Sequence, residues 1–156
     1  MHVTGYRVRI CGVVVMAVTL TAAAASAQQG TVADPEKPVL TFTSDVAVVT
    51  VLIKPDKTAD FELVLQKLKI ALEKSDKPER RQQAAGWRIF KSTQTVQGNA
   101  VYIMQIDPVV KGEEYDITRL IAETFPVEVQ ELFPKYRDAF AGRALVELTP
   151  LLSMKQ

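Results

Sequence analysis

The sequence predicts an α+β domain built as strand, helix, strand, strand, helix, strand, and three observations carry that prediction. Val46 to Ile53 (VAVVTVLI) is β-branched or apolar at every position, the pattern of a strand covered on both faces. Phe61, Val64, Leu65, Leu68, Ala71 and Leu72 recur at the spacing of one helical face. Trp87 to Val96 and Ala100 to Asp107 flank Gly98-Asn99, two residues that tolerate the positive φ angles of a tight hairpin.

A leader precedes these elements. Met1 to Arg9 carries Arg7 and Arg9, Ile10 to Leu20 is almost wholly apolar, and Thr21 to Ala27 is rich in small residues and ends in Ala25-Ser26-Ala27. That order is the pattern of a secretory signal peptide cleaved between Ala27 and Gln28, so an exported protein, periplasmic or secreted, is expected. An uncleaved anchor over Ile10 to Ala27 is the competing reading, and the Ala-Ser-Ala box and the polar Gln28-Gln29-Gly30 fit processing better. A lipidated cysteine should follow the apolar stretch, whereas Cys11 opens it. Residues 28–38 are polar and aperiodic and read as a flexible lead-in, 39–150 as the single domain, and 151–156 as a tail.

Within the domain, Pro55 ends the first strand and Thr58 is placed to cap the first helix. Leu63 and Ile70 fall on that helix's far side, where exposed apolar residues are expected. Asp76-Lys77-Pro78-Glu79 marks a second, short helix, with Glu79 positioned to reach back to the cap and Gly86 to end it. Its charges Lys77, Arg80 and Arg81 read as a solvated face. If Gly98 and Asn99 form the hairpin turn, Lys91 lies opposite Ile106, Thr93 opposite Met104 and Thr95 opposite Tyr102. One hairpin face then carries Trp87, Ile89, Lys91, Tyr102, Met104 and Ile106. Past Pro108, a loop with Glu113 and Glu114 reads as solvated, and Asp116 is placed to cap a helix bearing Ile117, Leu120, Ile121 and Phe125. Val129, Leu132, Phe133, Tyr136 and Phe140 continue the helical period after Pro126, with Pro134 as a kink and Gly142 as the stop. Ala144 to Thr149 is the last strand.

This order is the ferredoxin-like βαββαβ arrangement, a four-stranded antiparallel sheet with helices on one face. Helices cover only one face of such a sheet, yet the first strand and Ala100 to Met104 are apolar on both. Exposed apolar surface costs about 25 cal/mol per Å² relative to burial, so a second copy packed sheet against sheet is expected. Here the chain resembles the dimeric α+β-barrel superfamily, which includes antibiotic-biosynthesis-type monooxygenases, across Val46 to Thr149. The resemblance implies a homodimeric barrel and, as one function class, a cofactor-independent monooxygenase-like enzyme acting on a small aromatic substrate. Haem-degrading members typically hold haem through a histidine, which the mature chain would lack.

Composition narrows the chemistry. His2 and Cys11 are the only histidine and cysteine, and both lie in the leader, so thiol nucleophiles, Ser-His-Asp triads and histidine-ligated zinc or haem are excluded from the processed chain. Without Arg7 and Arg9 the 19 basic residues become 17 against 18 acidic, a formal charge of −1, with no aromatic-basic strand motif; nucleic acid is not an expected partner, and neither is a membrane after cleavage. No glycine-rich phosphate loop is present, and Asp107, Glu113, Glu114 and Asp116 do not match a calcium-loop spacing. Neither a cofactor nor a metal is therefore expected. The favoured class is a non-catalytic, homodimeric module that binds a small apolar ligand or an envelope partner. If it has a ligand site, the sequence places it beside the hairpin, at Trp87, Lys91, Tyr102 and Met104, where an apolar surface meets one charge. In the enzyme class, Trp87, Lys91 and Tyr102 would orient the substrate.

Overall fold

The computed structural model describes residues 37–152; the signal peptide expected over 1–27, most of the lead-in and the end of the tail lie outside the described residues. The fold is α+β, with one four-stranded antiparallel sheet and four helices, a layout compatible with the ferredoxin-like arrangement. In chain order the elements are β1 (Val46–Ile53), α1 (Thr58–Lys74), α2 (Pro78–Gly86), β2 (Trp87–Val96), β3 (Asn99–Ile106), α3 (Ile117–Thr124), α4 (Glu128–Ala139) and β4 (Phe140–Leu148). The strands lie in the order β2-β3-β1-β4, so β2 and β4 are the edges.

Burial along β1 alternates strictly: Ala47, Val49, Val51 and Ile53 are buried, and Val46, Val48, Thr50 and Leu52 are half-buried. The buried set meets Phe61, Val64, Leu68, Ala71 and Leu72 of α1, the helical face read from the sequence, together with Ile117, Leu120 and Ile121 of α3. Leu63 and Ile70 are exposed as expected.

Several local expectations are corrected. Thr58 begins α1 and donates its hydroxyl to the Pro55 carbonyl at 3.3 Å without capping; a 3-10 turn over Pro55–Lys57 leads into the helix instead. Glu79 forms no capping box, since α2 starts at Pro78 with no side-chain cap. Proline at that position has no N–H to satisfy, so the helix start loses little. Gly142 does not stop α4: the chain turns extended at Phe140 and β4 starts there, four residues earlier than expected. Phe140 keeps its helix-like periodicity because it packs edge-on against Phe61 and Tyr136 while paired with Ile53. Asp116 does cap α3, accepting from the Arg119 amide at 3.0 Å.

The hairpin turn is Gln97-Gly98, with φ of 52° and 77°, the pair of positive angles a type I′ turn requires. Thr95 pairs with Ala100, and an irregularity between Lys91 and Thr95 shifts the register again, so that Lys91 lies opposite Tyr102, Ile89 opposite Met104 and Trp87 opposite Ile106. Both departures from the expected register are even-numbered. The face assignment therefore survives the wrong turn position.

The charges expected on solvated surfaces are partly buried. Arg80 is 4% exposed, its guanidinium bonded to both Glu123 oxygens (3.0 and 2.8 Å), to Glu113 (2.9 Å) and to Gln83 (2.8 Å). Gln83 passes the link to the Glu114 carbonyl at 2.8 Å. Glu114 is itself buried, and its carboxylate accepts the amides of Val39, Leu40 and Asp116. A spacing argument sees charge on a helix face; it does not see that α3 and the Glu113-Glu114 loop fold over that face. Gly86 belongs to the same corner, where a Cβ would stand 2.7 Å from the Pro108 carbonyl oxygen.

Residues 37–45 run as a strap on the helix side of the sheet. Phe42 is buried edge-on against Tyr115. At the other end of the strap, Glu147 accepts the amides of Thr43 and Ser44 and the Thr43 hydroxyl at 2.7–2.9 Å. Those donors favour the ionised carboxylate and hold its pKa down to about 2. A carbon-detected NMR titration should find Glu147 ionised at pH 3, well after ordinary glutamates have begun to protonate. A midpoint above 4 would mean that the strap does not engage it in solution.

Candidate functional site

A groove runs between α1 and the edge strand β2. α1 contributes Leu65, Leu68 and Leu72 because these lie on one side of its buried stripe, turned toward the sheet edge; β2 contributes Trp87 and Ile89, alternate residues on the helix-side face; Ala84 of α2 closes the wall. This part measures about 360 Å³, within the range of small-molecule sites. Beyond Leu65, Gln66 and Ile89, which line both parts, it continues into a more open space of about 290 Å³ bordered by Glu62, Lys91 and Tyr102.

The polar end is a bonded triad. Lys91 Nζ lies 2.7 Å from Glu62 Oε1, and the Tyr102 hydroxyl donates to the same oxygen at 2.6 Å. The bond from Lys91, and then that from Tyr102, hold the Glu62 carboxyl below its usual range. Glu62 in turn raises the Lys91 ammonium, and burial, followed by the bond to Glu62, raises the Tyr102 phenol. All three shifts favour one state: carboxylate, ammonium, neutral phenol. At neutral pH the triad offers fixed hydrogen-bonding groups, and its one basic group is the Glu62 carboxylate, whose Oε1 is held by Lys91 and Tyr102.

Of the four residues singled out from the sequence, Trp87 and Lys91 line the groove and Tyr102 reaches its polar end through the hydroxyl, its ring packed edge-on to Phe61. Met104 is set apart. It is 2% exposed and borders a void of about 20 Å³ beneath the strap, among Phe42, Val49 and Tyr115. The Trp87 indole Nε1 is buried with no hydrogen-bond partner among the described residues, a state that costs about 1–3 kcal/mol. Sequence reasoning missed Glu62, Leu65 and Leu72 as site residues. The periodicity marks the two leucines as core and Glu62 as surface, and only the edge position of β2 leaves their shared flank open.

Among the described residues no group of three or more histidine, cysteine or acidic side chains is placed to hold a metal ion. No helix among them is long and apolar enough to cross a membrane. No protein-family model, no curated protein and no solved structure matches this chain.

Among the described residues no helix packs on the opposite face of the sheet. In register across the strands stand Phe90, Ile103, Thr50 and Ala144; then Arg88, Gln105, Val48 and Val146; then Val101, Leu52 and Gly142; and Val46 with Leu148. Arg88 is the one charged residue among these thirteen. Phe90, Ile103, Val146 and Leu148 are all exposed, and the strap, packed on the helix side, does not reach them.

Proposed function

We propose that this chain is a non-catalytic, homodimeric binding module, arranged as a ferredoxin-like dimeric α+β barrel, that holds a small apolar ligand in the groove between α1 and β2. The observation that carries the reading is the groove itself, apolar over most of its length and walled by Trp87. The ionisation of its polar end supports binding over proton transfer: Lys91 is held as ammonium and Tyr102 as phenol, and the Glu62 carboxylate, lowered below its usual range by the bonds from both, is a weak base near pH 7.

Dimerisation is supported by the uncovered sheet face. A face of four strands about 4.8 Å apart and about eight residues long presents roughly 500 Å² per copy, so two copies face to face bury about 1,000 Å² before side-chain relief is counted, enough for a specific interface. Depletion of charge from that face fits an interface core.

Trp87, the single tryptophan, reports on the groove directly. The mature domain should transfer excitation from Trp87 to the uncharged probe N-phenyl-1-naphthylamine with micromolar affinity. Ala84→Phe, which fills the wall of the groove, should weaken that binding at least about tenfold, or 1.4 kcal/mol, while leaving the melting temperature unchanged. Equal affinity in the Ala84→Phe protein would put the probe elsewhere and overturn the reading.

A further inference from the structure

Resting on that reading of the groove, we infer that its ligand is uncharged: an apolar chain ending in a group that both donates and accepts hydrogen bonds, of which a primary carboxamide is the simplest. The groove carries four charged side chains, and they cancel in pairs. Lys69 and Glu73 stand 3.8 Å apart at one end, and Lys91 and Glu62 stand 2.7 Å apart at the other. Along α1 the distance from Glu62 to Glu73 is about 16 Å, and the wall between is largely leucine.

The Lys91–Glu62 pair is balanced in charge and unsaturated in hydrogen bonds. Glu62 Oε1 takes both the ammonium and the Tyr102 hydroxyl, while Oε2 accepts nothing from the described residues. Lys91 has three N–H donors and gives one to Glu62. A free acceptor and free donors therefore sit side by side at the mouth of an apolar slot. A carboxamide fills both, its N–H₂ to Oε2 and its carbonyl to Nζ. A carboxylate gains the ammonium and is repelled by Glu62; an alkylammonium gains Glu62 and is repelled by Lys91. Neither ion finds a net opposite charge.

The test is a titration of the mature protein at pH 7 with octanamide, octanoate and octylamine, read by Trp87 fluorescence and by the amide NMR signals of Ile89 and Leu65. Octanamide should bind at least tenfold more tightly than either ion. Glu62→Gln leaves Lys91 unbalanced, so octanoate should gain at least tenfold in that variant and overtake the amide. Octanoate or octylamine binding the unaltered protein as well as octanamide would overturn the head-group inference and leave the groove reading standing. If none of the three binds while N-phenyl-1-naphthylamine does, the inference fails alone; if nothing binds, both fail.

Discussion

Replacing Arg80 by alanine is expected to destabilise the domain by about 3 kcal/mol and to lower its melting temperature by about 12 °C. The side chain is 5% exposed and bonds Glu123, Glu113 and Gln83 at once, so its removal leaves two carboxylates facing each other and a buried amide oxygen without a donor. The expected cost lies at the low end for a broken buried pair because both carboxylates retain contact with water. Arg80→Lys should recover less than half of the loss, since an ammonium cannot bridge both Glu123 oxygens and Glu113. Arg81→Ala, on the exposed side of the same helix, should change stability by under about 0.5 kcal/mol.

The same network fixes a pH dependence. Burial alone would raise the Glu123 carboxyl; the bonds and charge of Arg80, then those of Lys77, outweigh it and leave the pKa below the ordinary 4.5. A depressed folded-state pKa gives stability that is present above the unfolded value and lost as pH falls through the folded one. The gap between the unaltered domain and Arg80→Ala should accordingly narrow below about pH 4.5. Thermal melts at pH 7 and pH 3 measure both effects, and a full-sized gap at pH 3 would show that the carboxylates are not Arg80's working partners.

What the sequence made legible follows from which forces are periodic. β1 is legible as an unbroken β-branched and apolar run, and the buried face of α1 as apolar residues at helical spacing. The hairpin faces are legible although the turn falls one residue before Gly98-Asn99, because side chains alternate every two residues and each register difference is even. Arg80, Glu114 and Phe140 escaped, and for one reason: their environment comes from segments distant in sequence. Glu114 is bonded to amides 75 and 74 residues away, and Arg80 to a carboxylate 43 residues on. A charge at a helical surface position reads as solvated until the element folded over it is known. The groove was half legible for the same cause. Trp87 and Lys91 stand out as residue types, while Glu62 and Leu65 become site residues only because β2 is an edge.

The largest effect on assembly is expected from Ile103→Glu. Ile103 lies at the middle of the open sheet face, between Phe90 and Thr50, and is 37% exposed, so the substitution places a carboxylate in solvent in the single chain and leaves the core untouched. In a two-fold pairing each residue of the patch is buried twice, once per copy, and two uncompensated carboxylates enter one dry interface. Even about 3 kcal/mol for the pair weakens the dimer about 150-fold. Sedimentation equilibrium across 1–100 µM should therefore find the unaltered domain dimeric and Ile103→Glu monomeric, with the same far-ultraviolet circular dichroism. Ile70→Glu makes the control, because Ile70 is similarly exposed on the outer side of α1, away from the sheet. The groove lies on the helix side, so the monomeric variant should bind N-phenyl-1-naphthylamine as the dimer does; that separates the two halves of the proposed function. An unaltered domain that stays monomeric at 100 µM, or an Ile103→Glu protein that dimerises as before, would mean that this face serves some other contact.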